Sequence, residues 1–324
     1  MEVGGGWGEG TAHPDEDALI AHLATLVDGA APGVLRGIGD DAALIAPDLV
    51  WTVDTQVEGS HFTRDWSSPA DVGWKALAVN LSDLAAMGAE PVAALVSAIV
   101  PAGGAADLEP IYAGLGACSR TYGCAVVGGD VASGPALALS VGVLGRARVP
   151  PPGRDGARRG DVIAVTGSLG ESAAGLAAVR EPSLADIDGV AACVERLRRP
   201  HPRLAEGAVL ARFAHAMMDV SDGLARDLPR IARRSGVAIE ADLDALPVHP
   251  AGRAGAGRLE AAPGAFAAVG GEDYELLVAI DPADADRCGV PLTVIGEVAA
   301  GAPGLRWRGA GSAGGLSGWD HLAR

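Results

Sequence analysis

The sequence predicts an α/β (α+β) protein of two domains. Three observations carry that reading. Strand-like apolar segments alternate with segments of helical periodicity in both halves of the chain. The 324 residues give room for two domains of ordinary size. Residues 146–160, RARVPPPGRDGARRG, form one aperiodic stretch of proline, glycine and arginine near the middle. The boundary is placed there, giving an N-terminal domain over 1–147 and a C-terminal domain over 148–324. With 49% hydrophobic and 20% charged residues the chain can bury a sizeable core, which excludes wholesale disorder. Aromatics are only 4% while glycines number 47, so the cores are expected to be small and aliphatic, joined by tight turns.

Taken in order, residues 15–27 carry apolar side chains at helical spacing behind Pro14 and an acidic first turn. Residues 42–45 and 49–57 read as strands. Ser68-Pro69 opens a long helix that runs to about Met87 and stops at Gly88. The apolar run 92–100, between Pro91 and Pro101, reads as a buried strand, and 108–122 as a helix. A short strand over 125–127 leads into Gly128-Gly129-Asp130, and 136–144 forms another. In the second half, 161–166 is a strand feeding Gly167-Ser168-Leu169-Gly170 and a helix. Residues 216–220 are a strand entering Ser221-Asp222-Gly223 and a helix to about Arg234. Strands follow at 274–280 and 292–298, while 250–264 and 301–318 look like loops. No short-period repeat is present, which excludes a solenoid.

A formal charge of −16 sets the chain against a nucleic-acid backbone. Cys118, Cys124, Cys193 and Cys288 make no C-x-x-C pair and have no histidine at zinc spacing. They are expected to be buried thiols of a reducing cytosol. The leader MEVGGGWGEG lacks the basic start and apolar stretch of a secretion signal. The run 92–100 is about half of what a membrane crossing needs. A cytoplasmic protein with neither nucleic-acid nor membrane partners is expected.

The acids stand in short signatures at what are read as element ends: Gly39-Asp40-Asp41, Val53-Asp54-Thr55, Asn80-Leu81-Ser82-Asp83, Gly129-Asp130 and Asp219-Val220-Ser221-Asp222. Singly, each aspartate reads as a turn or cap residue. Collected at one edge of a sheet, where α/β domains bind ligands, they would repel strongly. Two unit charges about 5 Å apart at an effective dielectric of about 20 cost roughly 3 kcal/mol. A cation offsets several such pairs, and an all-oxygen set favours Mg²⁺. Lys75 is the only lysine and closes no G-x-x-x-x-G-K-[ST] loop, so a Walker-type phosphate loop is excluded. Gly167-Ser168-Leu169-Gly170 reads either as a phosphate-binding helix start or as a plain strand-to-helix turn. No G-x-S-x-G elbow supports a serine hydrolase.

The stretches GIGDDAALI, TVDTQVEGSHF, KALAVNLSDLAAMGA, GGD, TGSLGESAAGL, RPHPR, DVSDGLARDL and GGEDYELL occur in this order from Gly37 onward, followed near the end by Gly318-Trp319-Asp320-His321. Together they resemble the bacterial thiamine-monophosphate kinases of the aminoimidazole-ribonucleotide-synthetase-like superfamily. The resemblance implies ATP- and Mg²⁺-dependent phosphorylation of thiamine phosphate to thiamine diphosphate. It also implies a homodimer formed by pairing of N-terminal sheets, a C-terminal α/β sandwich, and an active site in the cleft between the domains. Position by position, it implies magnesium ligation by Asp41, Thr52, Val53 (through its carbonyl), Asp54, Asp83, Asp130, Asp219 and Asp222, with Asp54 and Asp130 decisive for catalysis. It implies nucleotide contacts at Tyr112, Gly129, Asp130, Arg154 and Ser221, and substrate contacts at His61, Glu272 and Trp319. Bland readings stand beside these: His61 next to Phe62 as a core histidine, Glu272 and Asp273 as caps, Trp319 as a tail anchor. One departure is visible. Where family members often continue GGD with Thr-Thr-Arg-Gly, this chain has Val131-Ala132-Ser133-Gly134. Other ATP-using members of the superfamily, such as aminoimidazole-ribonucleotide synthetase, and a non-catalytic magnesium- or nucleotide-binding regulator are the competing readings.

Overall fold

The computed structural model describes residues 16–27, 31–311 and 315–320; the glycine-rich leader, residue 15 of the expected first helix and His321 lie outside them. The first sheet is built from β1 (Val34–Arg36), β2 (Ala43–Ile45), β3 (Leu49–Val57), β4 (Ala89–Val100), β5 (Ala125–Ser133) and β6 (Ala138–Ala147), in the order β1-β2-β3-β6-β4-β5. Its pairs are antiparallel except β4–β5. Helix α1 (Glu16–Ala24) precedes it, and α2 (Pro69–Ala86) and α3 (Leu108–Tyr122) pack on one of its faces.

The second sheet comprises β7 (Val162–Val165), β8 (Ala214–Asp219), β9 (Ala238–Asp242), β10 (Leu276–Ile280), β11 (Thr293–Ala299) and β12 (Gly304–Arg308), ordered β12-β9-β11-β7-β10-β8. Only β12–β9 is parallel. Around it lie α4 (Glu171–Arg180), α5 (Val190–Arg198), α6 (Leu204–Leu210), α7 (Leu224–Ser235), α8 (Pro250–Arg258), α9 (Pro263–Val269) and α10 (Pro282–Arg287).

Helix α2 joins the two halves. Ser68 and Asp71 form a reciprocal capping box, the Ser68 N–H donating to the Asp71 carboxylate at 3.0 Å, with Pro69 at the first helical position. The helix stops before Gly88, whose φ of +58° suits glycine. It meets α3 backbone to backbone: a Cβ on Gly73 would lie 1.9 Å from the Ile111 carbonyl oxygen. Leu77, Leu81 and Leu84 enter the core under the first sheet, whereas Ala85 and Ala86 belong to a core with Met217, Leu276 and Val278 of the second. One helix therefore fixes the position of one sheet against the other.

Several expectations change. The run over 92–100 belongs to a longer strand whose burial alternates: Ala94, Val96 and Ala98 are buried, while Leu95 and Ile99 are exposed. Apart from Ser97 the run is apolar because both faces carry apolar side chains, not because both are covered. Gly128-Gly129-Asp130 lies inside β5, not beyond its end. Residues 250–264 hold α8 and the start of α9 instead of a loop, and 301–318 includes β12. All four cysteines are buried and free, as expected.

Candidate active site

Three of the acids, Asp41, Asp83 and Asp219, converge. Asp219 ends β8, Asp83 projects from α2, and Asp41 sits in the turn between β1 and β2, while Asp54 and Asp130 lie within strands. Carboxylate oxygens of Asp41, Asp83 and Asp219 come within 4.8 Å of one another. Neighbouring side chains hold them there. Thr52 donates its hydroxyl to Asp83 at 2.6 Å and Ser82 donates to Asp219 at 2.5 Å. Arg154, from the segment between the sheets, donates to Asp41 at 2.8 Å. Burial, then the Asp41 charge, pushes Asp219 up to about 7 against the Ser82 hydrogen bond. Asp83 is raised well above the usual range by burial of its carboxyl, then by Asp219, Asp54 and Asp41. Next to the trio, burial followed by Asp41 lifts Asp40 to about 6. Three carboxylates this close, with all-oxygen donors, fit a hard divalent cation such as Mg²⁺.

A cleft of about 530 Å³ opens beside the trio, within the range of small-molecule sites. It collects Asp54, His61, Ser221, Asp222, Glu272 and Trp319 from both halves of the chain. His61 Nδ1 accepts the Val57 N–H at 3.1 Å, which fixes the ring after β3. Asp222 pairs with Arg230 at 2.8 Å and its carbonyl accepts the Trp319 N–H, docking the tail against the cleft. Glu272 has a left-handed φ of +65°, held by its N–H to the Ser221 carbonyl and by the Ser172 hydroxyl donating to its own carbonyl. A non-glycine residue held there costs roughly 1–3 kcal/mol, and such strain concentrates at functional sites.

Tyr112, Gly129 and Asp130 lie apart from this cleft, in a shallow depression of about 440 Å³ with Val126, Gly128 and Val131. Asp130 is exposed and sits beside Ser97 in the β4–β5 register, outside the close trio. Val53 is also exposed, at 68%, one position from the buried Thr52. At Gly167-Ser168-Leu169-Gly170 the plain-turn reading holds: the Asp273 carboxylate accepts the Gly170 and Ser172 N–H groups at 2.8 and 3.2 Å. Asp273 thus caps α4, while burial still lifts it to about 7. The RPHPR arginines brace the structure, Arg203 bonding Glu275 at 2.7 Å and Arg199 bonding Asp71 at 2.6 Å. Ser82 and the buried Asp227, which accepts the Asp222 N–H at 3.2 Å, were not singled out from sequence. Ser82 stands within Asn80-Leu81-Ser82-Asp83 and Asp227 within DVSDGLARDL, but nothing in those stretches sets either apart.

The family described as AIR synthase related protein matches this chain over residues 39–147 by its N-terminal domain and over 158–308 by its C-terminal domain. The thiamine-monophosphate kinase of Salmonella typhimurium is 38% identical over 308 residues, 90% of this chain and 93% of its own. That of Escherichia coli K12 is 37% identical over 327 residues, 95% and 98%. Among solved structures, AaThiL complexed with AMPPCP and TMP has a TM-score of 0.82 at 32% identity, covering 97% of this chain and 100% of that one. The thiamine-monophosphate kinase of Stenotrophomonas maltophilia K279a has a TM-score of 0.72 at 39% identity, covering 92% and 98%. With matches of this extent at both levels, the chain belongs to the thiamine-monophosphate kinase family.

Proposed function

We propose that this protein transfers the γ-phosphoryl group of ATP to thiamine phosphate, giving thiamine diphosphate and ADP. The observation that carries the reading is the cleft that gathers His61, Glu272 and Trp319 with Asp54, Ser221 and Asp222 beside the Asp41–Asp83–Asp219 trio. A phosphate monoester has its second pKa near 6, so the acceptor oxygen is already mostly anionic at pH 7 and needs no general base. That oxygen bonds to the γ-phosphorus as the bond to the β-bridging oxygen breaks, and ADP leaves in line. His61, Glu272 and Trp319 hold thiamine phosphate. Tyr112, Gly129, Asp130, Arg154 and Ser221 contact the nucleotide. Asp41, Thr52, Val53, Asp54, Asp83, Asp130, Asp219 and Asp222 form the set that would hold Mg²⁺. Magnesium bound there supplies the positive charge that lets two anions meet in an acidic site. The protein's own contribution is to position the reactants and keep them aligned.

The same proposal includes the division at 147/148, a homodimer and a cytoplasmic setting. The uncovered face of the first sheet supports the dimer: Trp51, Val53, Leu95, Ile99, Val127 and Val131 are all exposed on β3, β4 and β5. A contiguous apolar surface of this kind marks an interaction site. No described helix is long and apolar enough to cross a membrane. Incubating purified protein with ATP, Mg²⁺ and thiamine phosphate should yield thiamine diphosphate and ADP in equal amounts. Nucleotide binding without thiamine diphosphate at any Mg²⁺ concentration would replace this reading with a non-catalytic one.

A further inference from the structure

Lys75 has no role in the reading above, yet its surroundings are unusual. It is the only lysine of the chain, it lies on α2, and it is 4% exposed. Removing an ammonium from water is costly unless acceptors replace the lost hydration. Here the Nζ lies 2.5 Å from Glu272 Oε1 and donates to the His61 carbonyl at 3.3 Å. Both acceptors belong to substrate-contacting residues of the cleft, one from each half of the molecule. Seven residues further along the same helical stripe, Ser82 makes the parallel cross-connection to Asp219. The Glu272 backbone is already pinned in a left-handed conformation, so the remaining freedom of its carboxylate lies in the side chain, which Lys75 occupies.

From this arrangement we infer that Lys75 is a positioning residue for thiamine phosphate: its ammonium clamps the His61 and Glu272 walls of the cleft together and presents the Glu272 carboxylate to the substrate. The inference rests on the kinase reading and deepens it. Lys75 does not line the cleft, so it acts through its two partners. Tyr112, Gly129 and Asp130 lie in a separate depression, and Ser221 meets Glu272 through the backbone and not through the carboxylate that Lys75 holds, so the larger effect is expected on thiamine phosphate.

The test is Lys75→Met, which keeps the length of the side chain and removes the charge. The wild-type protein is assayed first; absence of thiamine diphosphate there defeats the kinase reading and not this one. With an active wild type, Lys75→Met should raise the KM for thiamine phosphate about tenfold, as loss of a buried charge-assisted hydrogen bond does, with the KM for ATP changed less than about twofold. In a Glu272→Gln background the same substitution should add less than about twofold. Equal increases in both KM values, or a full effect of Lys75→Met in the Glu272→Gln background, would overturn the inference. A second measurement needs no variant. Because lysine occurs once, protein labelled only at lysine gives one side-chain ammonium resonance, which thiamine phosphate should shift on binding. An unmoved signal at saturating thiamine phosphate would likewise overturn it.

Discussion

Two acidic regions of this molecule differ in who surrounds them. Asp41, Asp83 and Asp219 are enclosed where α2, β8 and the β1–β2 turn meet, and the Asp83 and Asp219 carboxyls are lifted by burial and by the acids around them. Asp130 stands exposed on β5 in an open depression with Tyr112. The chain builds the first site almost to completion, down to the hydroxyls of Thr52 and Ser82. The second is an open surface which, in the function proposed above, acquires its chemistry only with a bound nucleotide. An acid can therefore be prepared by the fold or recruited by the ligand, and the two kinds should respond differently to the same perturbation.

The largest contrast is expected from neutralising one member of each. Asp219→Asn and Asp130→Asn should each lower turnover by roughly 10³-fold, since both remove charge from the proposed metal set. Thermal unfolding without Mg²⁺ should separate them: Asp219→Asn relieves repulsion and raises the midpoint, while Asp130→Asn leaves it within about 1 °C. A lowered midpoint for Asp219→Asn would break the distinction. Next in size, Leu95→Glu places a charge on the uncovered face where β4 lies beside Gly128 of β5. The solution mass should fall to that of a single chain of 32.3 kDa. An unchanged dimer would move the interface elsewhere. Tyr112→Ala should then raise the KM for ATP about tenfold and leave that for thiamine phosphate unaltered, as measured by initial rates.

The smallest effect is on pH. Asp219 and Asp273 titrate near 7 and Asp40 near 6 in the folded protein, all above the unfolded value near 3.9. Between these limits the folded state binds more protons than the unfolded one, so stability falls as pH rises. The metal-free melting midpoint should drop by roughly 5 °C between pH 5 and pH 8. Magnesium should restore part of the loss at pH 8 by taking the place of the protons. Asp130→Asn should follow the same curve.

Much of this was legible in the residues themselves. The sequence predicts strand β3 and helix α3 with their observed ends, because period and punctuation agree at Leu49–Val57 and Leu108–Tyr122. Over α8, Gly252, Gly255 and Gly257 weaken helical propensity, so the sequence there looks like a loop. The helix forms nonetheless, with Pro250 at its first position, His249 Nδ1 accepting the Ala251 N–H, and Ala251 packed against α4. Spacing named the five acidic signatures but not their grouping, which depends on how α2 crosses between sheets. Lys75 was invisible as a site residue for the same reason: a solitary lysine in a helix looks solvated until the second sheet is placed against it.

That helix has a practical corollary. Ala85 and Ala86 complete packing that belongs to β8 and β10, so beside the core that each half has to itself a further core is shared, and separating the halves would expose it. Proteolytic nicking in the proline-rich connector should leave two fragments that co-purify and remain active together. Expressing either portion alone should give insoluble material, recoverable by co-refolding with its counterpart.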